Sequence, residues 1–172
     1  MKYLYIMLCG MSMLVLSCNS DDPNIKHTNA EAFAGEWFVT VTVGGADVNG
    51  GYKTIVTSNT AANVSTEIIV SDLVDPNGDF SFSGYKVKAQ SDIKTMTFSA
   101  DKVLSTIPDY ADTMLHVSIA KGQIFPKGGF SKTNGVVDSI YFELQLEDDG
   151  PPYGTTYVVS GHKRTGFTQD EY

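Results

Sequence analysis

Alternation of apolar and polar residues is the dominant pattern along this chain, and it predicts β-strands. In residues 136–147, Ile140, Phe142, Leu144 and Leu146 alternate with polar or amphipathic neighbours, as in a strand with one buried face. Shorter runs of this kind recur along the chain, separated by turn residues. We therefore predict eight strands, at residues 36–43, 52–59, 64–73, 80–90, 94–100, 113–124, 136–147 and 155–162.

The segments between these runs carry residues that turn the chain. Residues 75–79 predict a tight turn because Pro76 and Gly78 each restrict the backbone, and Pro108 excludes a central strand from its own segment. A glycine-rich hairpin loop is predicted for residues 126–135. No apolar stripe of helical period appears in the main part of the chain, which indicates an all-β domain.

The number and order of the strands favour a closed sheet. Eight short strands in a meander close into an antiparallel up-and-down β-barrel, which removes the exposed edges of an open sheet. A barrel of this size has an interior that side chains nearly fill, or that holds one small ligand. An immunoglobulin-like sandwich of seven or eight strands is the competing architecture, and it would have no lumen.

The N-terminal residues predict export and lipidation. Lys2 and the apolar run that follows it are typical of a signal peptide, which we assign to residues 1–17. The residues before Cys18 resemble a bacterial lipobox, so Cys18 is the expected acylated residue. We assign residues 18–32 to the acylated Cys and a flexible tether, and residues 33–172 to a single barrel domain.

The charge and the cysteine positions restrict the classes of partner and the covalent links that we expect. The 172 residues carry a formal net charge of -8, which argues against a nucleic-acid partner. Both cysteines, Cys9 and Cys18, precede the predicted domain, which therefore has no disulfide. An acidic run directly after Cys18, at residues 19–22, resembles the surface-export signal of Bacteroidetes lipoproteins, although a solvated linker has the same composition. We expect the lipid anchor to hold the protein at the outer membrane. If residues 19–22 act as an export signal, the protein is also exposed at the cell surface.

Two ends of the predicted domain carry a resemblance to a known fold. Gly35 and Trp37 open the first strand and Arg164 follows the last one, which resembles the lipocalin and wider calycin pattern. That resemblance implies that Arg164 lies across the indole of Trp37 and closes one end of the barrel. Further stretches resemble the lipid-binding putative hydrolase family of Bacteroidetes lipoproteins, and these are residues 58–63, 80–88, 138–140 and 160–167. The likeness implies a calycin-like barrel and an apolar ligand.

The candidate ligand-binding residues are the apolar side chains expected to face the lumen. Their alternative role is ordinary core packing. The seven candidates are Val41, Ile69, Phe82, Met96, Phe98, Val117 and Phe142.

No catalytic or metal-binding pattern emerges from the chain. His27, His116 and His162 lie in separate segments, and no Gly-x-Ser-x-Gly elbow presents a serine. We predict no catalytic residue, metal or cofactor, and the word hydrolase rests on the family resemblance alone. Thr113 and Ser139 each follow an Asp and precede an apolar residue, which resembles the O-glycosylation site of Bacteroidetes.

Three functional hypotheses follow. The first is a lipid-anchored, lipocalin-like module that binds a small apolar molecule near the outer membrane. The second is a non-catalytic surface accessory that binds a glycan or a protein partner through exposed tyrosines such as Tyr141, Tyr153 and Tyr157. The third is an esterase using His162 and Ser160.

Overall fold

The strands pair as the alternating pattern predicts. The computed structural model describes residues 27–72 and 81–172, and within them it has nine strands and two short 3₁₀ turns, at Glu31–Phe33 and Thr168–Asp170. The strands are β1 (Gly35–Val43), β2 (Ala46–Asp47), β3 (Lys53–Asn59), β4 (Glu67–Asp72), β5 (Lys86–Asp92), β6 (Thr97–Leu104), β7 (His116–Phe130), β8 (Val136–Leu146) and β9 (Tyr157–Lys163).

The sheet closes on itself. Consecutive strands pair antiparallel from β3 to β9, and β1 pairs with both β3 and β9. Trp37 is opposite Ile55 on one side and Lys163 on the other, so β1 is the strand that completes the ring. The prediction of a closed eight-stranded antiparallel barrel is confirmed, and a two-layer sandwich is excluded. The two-residue strand β2 pairs only with the end of β1 and is too short to leave a periodic pattern.

The inward faces of the strands form one apolar core. On β1, alternate residues Trp37, Val39 and Val41 are buried inside the barrel. The same alternation on β8 places Ile140, Phe142 and the following leucines inward, as the sequence predicts. These inward side chains form one buried apolar cluster within the described residues.

Two strand boundaries differ most from the prediction. β7 continues through Pro126 to Phe130, so the hairpin turn is confined to residues 131–135. The pairing register shifts between Phe125 and Gly129, which marks a bulge, and a proline in a bulge need not donate a ladder hydrogen bond. β5 begins at Lys86 rather than at residue 80, and part of the predicted extension lies outside the described residues.

The two ends of the barrel are built differently. One end carries four long connections, at residues 44–52, 73–85, 105–115 and 147–156, and we call it the mouth. The other end carries the shorter turns at residues 60–66, 93–96 and 131–135, and we call it the closed end. Binding and catalytic groups of scaffolds like this are commonly held by loops, which makes the mouth the first place to search for a site.

Candidate ligand-binding site

The closed end is held by a hydrogen-bond relay under Trp37. The indole nitrogen of Trp37 donates to the hydroxyl of Thr57 at 2.8 Å, and that hydroxyl donates to the carbonyl oxygen of Phe33. All three residues are fully buried or nearly so. Phe33 also meets Phe98 edge to face, with ring centroids 6.5 Å apart. The 3₁₀ turn is thereby fastened across the end of the barrel.

The cation over Trp37 is Lys163, which corrects the expected pairing of Trp37 with Arg164. Because Lys163 is directly opposite Trp37 in the β1–β9 register, the two side chains share a face, and the Lys163 ammonium lies 5.7 Å from the ring. Gly35 leaves the room for it, since a Cβ at Gly35 would lie 2.8 Å from Cε of Lys163.

Arg164, one residue further along, turns to the outside of the barrel. Its guanidinium lies 5.7 Å from the ring of Phe38 and forms ion pairs with Glu36 and Glu171. The hydrogen bonds that the Arg164 guanidinium donates to Glu171 and Glu36 raise the pKa of Arg164. Arg164 therefore joins the first and last segments of the domain, as the sequence suggested, but through Phe38 and two carboxylates.

Six of the seven candidate lumen residues contact the core. Val41, Phe98, Val117 and Phe142 are fully buried within it, while Phe82 and Met96 are half-buried and pack against it.

Ile69 is the exception and faces outward. It is opposite Ser58 and Lys88, whereas its neighbours Ile68 and Val70 are fully buried. A run of three apolar residues does not reveal which parity is inward, and only the pairing register decides it.

The mouth contains a buried carboxylate that sequence reasoning missed. Asp72 is only 1% exposed, and its Oδ2 accepts hydrogen bonds from the backbone N–H groups of Phe82, Ser83 and Gly84 at 2.8–2.9 Å. Burial raises the pKa of Asp72 although these donors favour its ionised form. The sequence carried one signal for this burial: Asp72 is two residues after Val70, so both side chains point to the same face of β4. Asp72 fixes the segment that carries Phe82.

Phe82 and Tyr157 meet at the mouth. Their ring centroids are 5.0 Å apart in an edge-to-face arrangement, and both residues pack against the core. The hydroxyl of Tyr157 donates to Oδ1 of Asp149 at 3.1 Å. Tyr157 therefore has an inward apolar ring and a polar tip at the rim, which corrects its expected position on the outer surface.

The other sequence-predicted surface residues lie on several different elements. Thr113 is exposed in the 105–115 connection, whereas Ser139 is half-buried on β8 opposite Phe125. Tyr141 donates to Glu143 at 3.3 Å, and Tyr153 lies under the ammonium of Lys102. The structure does not gather these residues into one site. Cys18 lies outside the described residues.

The ring hydrogen bonds of the described histidines go to partners other than a serine. His116 is hydrogen-bonded to Glu147 at 2.7 Å, and His162 is almost buried and bonded to the hydroxyl of Tyr172 at 3.1 Å. Across residues 27–72 and 81–172, no group of three or more His, Cys, Asp or Glu is placed to bind a metal ion. In the same residues, no helix has the length and apolarity needed to cross a bilayer.

A groove of mixed polar and apolar lining is formed by residues of β5, β6 and β7. It has a volume of about 490 Å³ and is open to solvent. Phe98, Gly122, Gln90, Asp92 and Lys121 are among the residues that line it. This groove shares Phe98 with the core, and none of its lining residues belongs to the mouth connections.

The fold and the mouth define a class of protein. A closed eight-stranded antiparallel barrel with a tryptophan at the closed end and long loops at the mouth is lipocalin- or calycin-like. The chain matches the family described as "Lipid-binding putative hydrolase" over residues 22–168, and it belongs to that family. No curated protein was found to match the chain.

Proposed function

We propose that the protein is a lipocalin-like lipoprotein of the outer membrane that holds a lipid or another small apolar molecule in its barrel. The observation that carries this proposal is a closed barrel with apolar inward faces in a chain of a lipid-binding family. An acyl chain entering such an interior would exchange water for apolar contacts, which is favourable by about 0.8 kcal/mol per CH₂ group.

The mouth supplies the route of entry. Phe82 lies in the connection before β5 rather than in a strand, and its half-buried ring covers the inward ring of Tyr157. Displacement of Phe82 would expose Tyr157 and the core side chains below it without breaking a strand pairing. The ligand's polar group would then remain at the rim, beside the Tyr157–Asp149 hydrogen bond.

Native mass spectrometry of the purified protein tests ligand binding. We expect one apolar molecule per chain, recoverable by lipid extraction and exchangeable with an added long-chain fatty acid. Phe82→Ala is expected to release the fatty acid about tenfold faster, because one aromatic contact is lost. Phe125→Ala is the matched control, since Phe125 is 42% exposed and outside the barrel. Repeated preparations without any apolar adduct would contradict the proposal.

The anchor is supported by the lipobox-like residues that precede Cys18. More than one acyl chain gives stable membrane attachment, whereas a single chain gives weak and reversible attachment. Metabolic labelling with a radioactive fatty acid and fractionation of the producing cells test this part. We expect label in the outer-membrane fraction for the wild-type chain, and Cys18→Ala to abolish it.

The groove formed by β5, β6 and β7 favours a second candidate function. Side chains such as Gln90 and Lys121 beside Phe98 give this groove both hydrogen-bonding groups and an apolar contact, which a glycan or a peptide would use. A glycan array probed with the wild-type chain and with Lys121→Ala, which alters the groove, tests this surface role. Binding that Lys121→Ala weakens would support it, and a blank array would remove its glycan form.

A further inference from the structure

The hairpin between β7 and β8 extends beyond the closed end and exposes large apolar side chains. Phe130 and Val136 are directly opposite each other at its tip, and they are 64% and 60% exposed. Phe167, at 63% exposed, lies in the C-terminal segment. Two paired apolar residues at the tip of a two-stranded hairpin form a projection rather than a patch on a flat wall.

A set of hydrogen bonds fixes the C-terminal segment to this hairpin. Asp170 accepts from the backbone N–H of Thr133 at 2.8 Å and from its hydroxyl at 2.7 Å. Thr165 donates to the other carboxylate oxygen of Asp170 at 2.8 Å. Phe167, three residues before Asp170, is therefore held near the hairpin turn. We call Phe130, Val136 and Phe167 the apolar tip.

The two carboxylates beside the apolar tip, Asp170 and Asp138, have partners within the protein. Both oxygens of Asp170 accept hydrogen bonds, and Oδ1 of Asp138 accepts from the backbone N–H of Lys127 at 2.9 Å. Oδ2 of Asp138 lies 3.9 Å from the ammonium of Lys163. Because these carboxylates have partners within the protein, bringing them close to an apolar phase costs less than it would for unpaired charges.

The chain leading back to Cys18 leaves the barrel at this same end. Asn29 donates its backbone N–H to Oδ1 of Asn63 at 2.9 Å, and residues 60–66 form a turn of the closed end. Between Cys18 and His27, the first described residue, lie at most about 30 Å of extended chain. A lipid on Cys18 would therefore keep the closed end, and not the mouth, near the bilayer.

We propose that the apolar tip inserts into the interfacial region of the bilayer and orients the anchored barrel with its mouth away from the membrane. The inference rests on the anchor at Cys18 from the proposed function. Insertion of Phe and Val side chains needs no basic surface, which agrees with the net charge of -8. The occupant of this surface is a lipid bilayer, and a second copy of the chain is the competing occupant.

Fluorescence quenching by brominated lipids tests the insertion. The full lipidated chain is reconstituted into phosphatidylethanolamine–phosphatidylcholine vesicles whose acyl chains carry bromine near the head group. Phe130→Trp places a reporter at the tip, and Leu104→Trp places the matched control at the mouth end, where Leu104 is 48% exposed. The wild-type chain, with buried Trp37 as its single tryptophan, gives the background.

We expect strong quenching and a blue-shifted emission for Phe130→Trp, and the background value for Leu104→Trp. Replacement of both Phe130 and Val136 by serine is expected to lower the vesicle partition of the Cys18→Ala chain by about tenfold or more. High salt is expected to change neither result. Equal quenching at the two positions, or quenching at Leu104→Trp alone, would overturn the proposal.

Vesicle flotation distinguishes a failure of tip insertion from a failure of the lipid anchor at Cys18. A chain that floats with the vesicles but shows no quenching at Phe130→Trp retains the anchor and refutes the insertion. A wild-type chain that does not float refutes the anchor on which the insertion rests. A blue shift of Phe130→Trp without vesicles, together with a doubled mass in solution, would assign the tip to a second copy instead.

Discussion

The relay from Trp37 through Thr57 to Phe33 gives the sharpest test of how the barrel is closed. Thr57→Val keeps the shape of the side chain but removes the hydroxyl that accepts from the indole and donates to the Phe33 carbonyl. The site is sealed from water, because Trp37 and Phe33 have no exposed surface and Thr57 is 1% exposed. The substitution therefore leaves one donor and one acceptor buried without a partner.

The expected loss follows from these two groups. An unsatisfied buried polar group costs about 1–3 kcal/mol, so we expect Thr57→Val to lower the free energy of unfolding by about 3 kcal/mol. With a urea m-value of about 2 kcal/mol/M, the midpoint moves down by about 1.5 M. Trp37 is the single tryptophan of the chain, so its fluorescence reports both the unfolding and the site itself.

Two variants complete the test. Thr57→Ser restores the hydroxyl and is expected to recover most of the loss. Thr54→Val, on the same strand but with Thr54 half-buried and facing outward, is expected to stay within about 0.5 kcal/mol of the wild type. A midpoint for Thr57→Val equal to that of Thr54→Val would refute the relay as a source of stability.

Three further predictions test the barrel wall and the closed end. Gly161→Ala should lower the free energy of unfolding by about 3 kcal/mol, measured in urea, because the added Cβ would lie 1.9 Å from the carbonyl oxygen of Phe38; unchanged stability would contradict the close β1–β9 approach. Lys163→Met should shift the fluorescence emission of Trp37, because it removes the cation over the indole, whereas Arg164→Met should not. The reverse result would show that Arg164 is the cation over Trp37. Hydrogen bonds from Thr133 lower the pKa of Asp170 to about 2 from its ordinary value of 3.8, so its stabilising contribution is present above pH 3.8 and is lost as the pH falls through about 2. Asp170→Asn should therefore be less stable than the wild type at pH 7, with a difference that shrinks between pH 3.8 and 2, and a difference independent of pH would contradict this assignment.

The number and order of the strands were accessible from the sequence because alternation is a local property. Each inward run, such as the one that includes Phe142, carries its own period-two signal. The closure of the sheet followed from the fact that a meander of eight strands leaves two edges that can pair.

The sequence alone did not show which face of a strand points into the barrel, or which residues pair across neighbouring strands. Ile69 lies in a continuous apolar run, and Lys163 and Arg164 are adjacent cations, so the sequence does not decide which of them faces inward. The pairing of β9 with β1 decides the second case, because it sets Lys163 opposite Trp37. The buried carboxylate of Asp72 was missed for a related reason, since an acid at the end of a strand is ordinarily solvated.

The sequence analysis missed the exposed hairpin tip because proline and glycine ordinarily end a strand. Pro126 and the glycines after it predict a loop, but a bulge accommodates the proline and lets the ladder continue to Phe130. Only with that continuation do Phe130 and Val136 become a directly opposed pair at the tip.

Quenching of Trp37 by a brominated fatty acid tests most directly whether the barrel interior holds the ligand. Trp37 is buried at the closed end, so bromine reaches it only on a chain that lies inside the barrel. We expect saturable quenching at one fatty acid per chain, stronger for bromine at the methyl end than beside the carboxylate, because the head group stays at the mouth. Binding of the fatty acid with no quenching of Trp37 at either bromine position would place the ligand outside the barrel and contradict the proposed function.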